Sequence, residues 1–351
     1  MSETSFTLRP GYSISRVIRG GWQLAGGHGA IDKAQAIDDL IAAFDAGLTT
    51  YDCADIYTGV EEIIGAFRAK LAETRGADVA AKVKVHTKMV PDLDVLPKIS
   101  KAYVEGIVDQ SLRRLRMERL NLVQFHWWDY AFSGWLDAFG WLEELRQAGK
   151  IENVGGTNFD SAHVAAVLKA GIPLVSMQVQ YSVLDNRPEH GLAALAAANG
   201  VSLLCYGSVA GGFLSDKWLG VDEPEMPLEN RSLTKYKLII DDFGGWSLFQ
   251  ELLRALKNVG DRHGADIATI ASAYMLTRPT VGAVIVGARN QAHALANAKI
   301  MAVTLSEADK AEIEAVMARR QGPEGDIYTL ERDRTGRHGS IMHYNLNDGR
   351  H

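Results

Sequence analysis

Cysteine is nearly missing from this sequence: Cys53 and Cys205 are the only two in 351 residues. Each falls in or beside an apolar, strand-like run. The pair therefore reads as buried free thiols, not a disulfide, which suits a reducing cytoplasm. A positive balance is missing too. The formal net charge is -6 and the pI is near 5.9, so nucleic acid and anionic membranes meet no positive field here. No uncharged run approaches the roughly 18 apolar residues that a membrane helix needs. The start, MSETSFTLRP, lacks the basic-then-apolar order of a signal peptide. The histidines at 28, 163, 190, 263, 338, 343 and 351 are scattered without metal-ligand spacing, and no metal is expected. These absences leave a soluble cytoplasmic protein with a small-molecule partner, its oligomeric state open.

What is present is a regular alternation of short β-branched runs and amphipathic stretches. A hairpin-like start (FTLRPGYSIS) precedes RVIRGGWQ, TTYD, KVKVHTK, NLVQFH, IENVGGTN, LVSMQ, VSLLCY and VGAVIVG. Between them apolar residues recur at helical spacing, as in Ile37, Leu40, Ile41 and Phe44. Strands that are apolar on both faces and joined by helices form parallel sheets. About eight such units, with no Gly-x-Gly-x-x-Gly turn after the first strand, predict an α/β fold of the closed (β/α)8 TIM-barrel type over a doubly wound sheet. Residues 1–351 read as one domain, with a core over about 7–318 and a tail over 319–351. A long connection follows the seventh strand, after Tyr206.

In such a barrel the chemistry lies at the carboxyl ends of the strands. The residues there are Asp52, with Tyr57 in the next loop, then Lys88, His126, Asn158, Gln178, Tyr206 and the turn Gly287-Ala288-Arg289. A free phenol has a pKa of about 10, and a neighbouring ammonium favours the phenolate and lowers it. Lys88 can supply that charge, Asp52 can hold Lys88, and His126 can orient a carbonyl or relay a proton. None of these groups is redox-active, so a hydride requires a bound nicotinamide. Asn158 and Gln178 can hold its carboxamide and Tyr206 can stack on its ring. Gly211 and Gly212 with Lys217, and the turn at Gly287 and Arg289, can take phosphates.

The segments YDCADIYTGVEEIIGAF, VHTKM, NLVQFHWWDY, GKIENVGGTNF, MQVQYSVLD and VIVGARN together resemble the signature segments of the aldo-keto reductases, in the family's order. The resemblance implies a barrel that binds NADP(H) and reduces aldehydes or ketones. It implies Asp52, Tyr57, Lys88 and His126 as the catalytic tetrad, with the tyrosine as acid. Asn158 and Gln178 match the carboxamide ligands, Tyr206 the stacking aromatic, Arg289 the 2′-phosphate contact and Asn297 an adenine-side contact. Trp22 is assigned to both cofactor and pocket. Gly207 and Ser208 stand where the family commonly has Ser-Pro, at the expected pyrophosphate contacts. His293 and Ala296 replace the usual Gln or Glu near the adenine.

Other readings compete. Tyr57 can be packing, Lys88 a Schiff-base lysine, His126 a core histidine and Arg289 a surface cation. Trp127, Trp128 and Tyr130 either line a substrate pocket or cover the barrel mouth. At the level of function, the alternatives are an NAD(P)-dependent aldose or polyol dehydrogenase, a lysine aldolase and a non-catalytic cofactor-binding subunit.

Overall fold

The computed structural model describes residues 4–25, 31–288 and 290–347. An antiparallel hairpin comes first, β1 Ser5–Arg9 and β2 Tyr12–Ser15. Gly11 turns it at φ +79, a conformation that suits glycine. Leu8, Tyr12 and Ile14 pack with Ile18, Leu122, Val175 and Ala283, residues near the starts of barrel strands. The hairpin therefore closes the amino-terminal end of the barrel.

Eight parallel strands make that barrel. They are β3 Val17–Gly20, β4 Thr50–Asp52, β5 Lys84–Met89, β6 Leu122–Phe125, β7 Val154–Thr157, β8 Leu174–Gln180, β9 Ser202–Tyr206 and β10 Val281–Gly287. Each pairs with its sequence neighbour, and β10 pairs with β3 to close the ring. Their residues are almost all buried, as a sheet filled inside and covered by helices outside requires. Capping fixes where many outer helices begin: Asp32, Ser100, Asp160 and Asp266 each accept a backbone N–H of the first turn. Among the described residues, no helix is long and apolar enough to cross a membrane.

Two segments depart from the bare barrel. The connection after β9 is not an open loop: it contains the helix Arg231–Phe243, capped by Asn230. The tail is also ordered over its described length and folds back over the carboxyl ends of the strands. Arg332 donates to the carbonyls of Trp127 (3.0 Å) and Asn158 (2.8 Å). Asp92 accepts from the backbone of Leu346 (2.8 Å) and Asn347 (2.9 Å). A fully buried ion triad, Asp185–Arg187–Glu331, ties the tail to the segment after β8 at 2.7 and 2.8 Å. Burial alone would push the Glu331 carboxyl up, but Arg187, and behind it Lys235, reverse this and hold it at about 2.

Candidate active site

Strand geometry gathers the polar strand-end residues. Asp52 ends β4, Lys88 lies one residue before the end of β5, and His126 directly follows β6. The Lys88 ammonium meets Asp52 Oδ2 at 2.6 Å and the Cys53 carbonyl at 2.9 Å. Asp52 Oδ1 accepts from Gln178 Nε2 at 2.7 Å and Gln124 Nε2 at 3.3 Å. Both carboxylate oxygens are thus engaged. Above this floor, Lys88 Nζ lies 5.1 Å from the centre of the Tyr57 ring, and Trp22 meets that ring edge-on at 5.0 Å.

The charges do not follow the simplest expectation. Burial would push the Lys88 ammonium down, but Asp52, with Tyr57 behind it, holds it well above its ordinary value. A cation this firmly protonated and paired has no lone pair to attack a carbonyl, which removes the chemical basis of the Schiff-base reading. Tyr57 is corrected in the opposite sense. Burial raises its pKa, and the downward pull of Lys88 does not overcome it. The phenol therefore stays protonated at neutral pH, with a proton to give. His126 sends Nδ1 to the Thr157 carbonyl at 3.2 Å. Burial first, then Arg332, push its pKa down to about 3. A proton relay through imidazolium, one of the roles expected from the sequence, does not fit a ring held neutral in this way.

Asp52, Tyr57, Lys88 and His126 all line one cavity of about 340 Å³ at the carboxyl end of the barrel. Trp22, Trp128, Asn158, Gln178, Tyr206, Gly207, Gly211 and Gly287 line it too. Asn158 has a left-handed backbone, φ +61, an uncommon state for a residue with a side chain. Three contacts hold it there: its N–H donates to the Gln178 carbonyl, its carbonyl accepts from Arg332, and its Oδ1 accepts from the Tyr206 hydroxyl at 2.9 Å. Gly207 sits at φ +78, where an added Cβ would come within 2.8 Å of the Tyr236 hydroxyl. Only glycine fits that turn.

Other expected residues lie elsewhere. Trp127 is fully buried against Phe125, with Nε1 donating to the carbonyls of Asp129 (2.9 Å) and Phe132 (3.2 Å). Side chains that follow a strand alternate in direction, so His126 and Trp128 face the cavity and Trp127 faces away. Tyr130 stacks on His163 at 3.4 Å beneath Arg332 and does not reach the cavity wall. Ser208 is buried with its hydroxyl 3.2 Å from that of Ser272. Lys217 is exposed over the Trp218 ring. Asn297 donates to the Gly287 carbonyl at 2.9 Å, steadying the turn after β10 from outside the cavity. Arg289 lies outside the described residues.

Among the wall residues that were not anticipated, Arg231, Lys235 and Tyr328 carry polar groups close to the expected site. Arg231 and Lys235, one turn apart on the helix after β9, both line the cavity. Arg231 Nη1 is buried without a hydrogen-bond partner among the described residues, while the Lys235 ammonium lies between 5.0 and 5.9 Å from the rings of Tyr206, Tyr236 and Tyr328. Tyr328, from the tail, meets the His126 ring edge-on at 5.5 Å. The readable signal for the two cations was Asn-Arg-Ser-Leu-Thr-Lys, a cap residue followed by basic residues at helical spacing. A concave site with aromatic rings, amide groups, glycine turns and a guanidinium whose buried Nη1 has no partner among the described residues has donors that suit a nicotinamide dinucleotide.

Residues 16–318 match the sequence model of the aldo/keto reductase family. The chain is 26% identical to aldo-keto reductase YhdN of Bacillus subtilis (strain 168), covering 88% of this chain and 91% of that protein. It is 25% identical to the NADH-specific methylglyoxal reductase of Escherichia coli (strain K12), covering 85% and 93%. Flagellar radial spoke protein 5 of Chlamydomonas reinhardtii is also similar, at 26% identity, and there the match spans 48% of the longer protein. Among solved structures, the glycerol dehydrogenase of Gluconobacter oxydans superposes with a TM-score of 0.76 at 22% identity, covering 93% of this chain and 98% of that one. An aldo/keto reductase from Klebsiella pneumoniae in complex with NADP and acetate gives 0.69 at 20% identity, covering 92% and 98%.

Proposed function

This chain belongs to the aldo/keto reductase family and is an NAD(P)H-dependent oxidoreductase, and we propose that it reduces an aldehyde or ketone to the alcohol with Tyr57 as the proton donor. The observation that carries this reading is the stack of Asp52, Lys88 and Tyr57 beside His126 in one cavity. The bound coenzyme would supply the hydride to the carbonyl carbon. The protein's own part is the proton. An alkoxide forming on the substrate is a far stronger base than a phenolate, so a phenol that keeps its proton in the resting site still yields it. Lys88 offsets the negative charge left on Tyr57, and Asp52 fixes Lys88 in position. In the reverse direction the same phenolate would take a proton from the alcohol.

Asn158 and the free Oε1 of Gln178 are the groups we assign to the carboxamide, and Tyr206 to the ring. Arg231 and the backbone of Gly207 and Gly211 are assigned to the pyrophosphate. NADPH is favoured over NADH through Arg289, a cation that follows a buried strand and a Gly-Ala turn. An NADH-specific relative makes this the part of the reading most in need of a direct titration.

Replacement of Tyr57 by Phe, assayed over a carbonyl panel with NADPH, tests the core assignment. Turnover should fall on the order of 10²- to 10⁴-fold, while NADPH binding followed by fluorescence should stay close to wild type. A Tyr57→Phe enzyme with near-full turnover would sink the assignment.

A further inference from the structure

Arg332 lies in the tail, beyond residue 318 where the family match ends. Among the described residues its hydrogen bonds all go to backbone carbonyls, and none to a carboxylate. Nη2 has two hydrogens and gives one to Trp127 at 3.0 Å and one to Asn158 at 2.8 Å. Nη1 reaches the Ile327 carbonyl at 3.5 Å. Trp127 follows β6 and Asn158 follows β7, and these two strands are paired. One nitrogen thus joins two neighbouring strand-end loops. The first carries His126 and Trp128, and Asn158 is on the second; all three line the cavity, while Arg332 does not.

The guanidinium is itself held in place. It lies over the Tyr130 ring at 4.2 Å, Tyr130 stacks on His163 at 3.4 Å, and the preceding Glu331 is buried in its ion pair with Arg187. That rigidity matters at Asn158, whose φ is +61. A return to the right-handed or extended region would turn φ by more than about 100° and swing the side chain with it. The Asn158 N–H belongs to the peptide plane before Cα, and the Gln178 carbonyl holds that plane at 2.9 Å. The Asn158 carbonyl belongs to the plane after Cα, and Arg332 holds that one. With both planes fixed, the residue between them cannot unwind. The Tyr206 hydroxyl meets only the side chain, so it follows the backbone and does not set it.

We propose that Arg332 is a positioning residue for the coenzyme: by joining the Trp127 and Asn158 carbonyls, it keeps Asn158 in the left-handed state that turns its side-chain amide to the nicotinamide carboxamide. The tail then completes the nicotinamide end of the site, through a contact made across 174 residues. The adenine and phosphate end keeps its own ligands and does not depend on it. Arg332 has this role only if Asn158 meets the carboxamide, as proposed above.

Calorimetric titration of the intact protein tests it, with each coenzyme set against the same molecule lacking nicotinamide: NADPH against 2′-phospho-ADP-ribose, and NADH against ADP-ribose. Arg332→Met keeps an apolar stem over Tyr130 and removes the donors. It should weaken the coenzyme on the order of 10-fold and leave the nicotinamide-free fragment close to wild type. Arg332→Lys still donates, without the planar fork, and should fall between the two. Asn158→Ala should show the same selective loss. The double variant should lose no more than Asn158→Ala alone, because Arg332 acts through Asn158. Coenzyme and fragment weakened alike in Arg332→Met, or neither weakened, overturns the proposal, as do losses that add in the double variant. If Asn158→Ala binds the coenzyme as wild type does, the carboxamide assignment fails, and the role of Arg332 with it.

Discussion

Gln178 donates its side-chain amide to Asp52 at 2.7 Å, so a residue expected to face the cofactor also braces the carboxylate that positions Lys88. Removing that brace should leave Asp52 Oδ1 only the longer contact to Gln124, at 3.3 Å. In Gln178→Leu, a buried carboxylate loses its best neutral donor, which should cost about 1–3 kcal/mol of stability. The kcat should drop on the order of tenfold through the loosened Lys88. Denaturant titration together with steady-state kinetics checks both. If only cofactor affinity falls, with stability and kcat intact, Gln178 is a ligand and not a brace.

The state of Tyr57 sets a pH dependence. Its pKa is raised by burial and pulled down by Lys88, from an ordinary value of about 10. Reduction needs the phenol protonated, so kcat should be level through neutral pH and fall only as pH rises through that raised pKa. Lys88→Met removes the downward pull. Its alkaline limb should therefore move to higher pH while its plateau falls on the order of 10²-fold or more. A limb displaced toward neutral pH in Lys88→Met would show that the lysine is not what lowers the tyrosine.

The strand ends were legible because a parallel barrel forces one rule: apolar runs, then a polar residue at the carboxyl end. Asp52, Lys88 and His126 obey it and meet. Trp127 was misread because it sits next to His126 in sequence, while strand alternation turns it to the opposite side. The net direction of the Tyr57 shift was not legible, since burial is contributed by distant segments. The same holds for the tail, whose lock joins Arg187 to Glu331 across 144 residues. No periodicity reports a contact that long, and Arg231 and Lys235 gain meaning only once their helix is seen to border the cavity.

That lock has a definite acid response. The folded Glu331 carboxyl sits at about 2, below an ordinary value of about 4.3. A depressed carboxyl stabilises the fold fully above the unfolded value, and loses that contribution as pH falls from there toward 2. Glu331→Gln should lose on the order of 3 kcal/mol at pH 7, because a buried guanidinium loses one of its two carboxylates. The difference between variant and wild type should shrink below about pH 4. Chemical denaturation at pH 7 and pH 3 measures it. A gap that is the same at both pH values would show that the lost term is packing, not charge.

Arg231 and Arg289 offer separable tests of the coenzyme assignment. Arg231 lines the cavity with a buried Nη1 that has no partner among the described residues, and burial lowers its pKa, as for a cation not yet met by an anion. The pyrophosphate is common to NADH and NADPH. Arg231→Ala should therefore weaken both by a similar factor, on the order of 10-fold or more for a lost charge-assisted hydrogen bond. Arg231→Lys should recover part of that, limited by the loss of the guanidinium's planar fork. Arg289→Ala should instead weaken NADPH selectively, because the 2′-phosphate exists only there. Fluorescence titration of both coenzymes against wild type and the three variants separates these effects. If Arg231→Ala binds both as tightly as wild type, its guanidinium serves the wall of the cavity and not the coenzyme. If Arg289→Ala weakens NADPH and NADH alike, the preference for the phosphorylated coenzyme has some other origin.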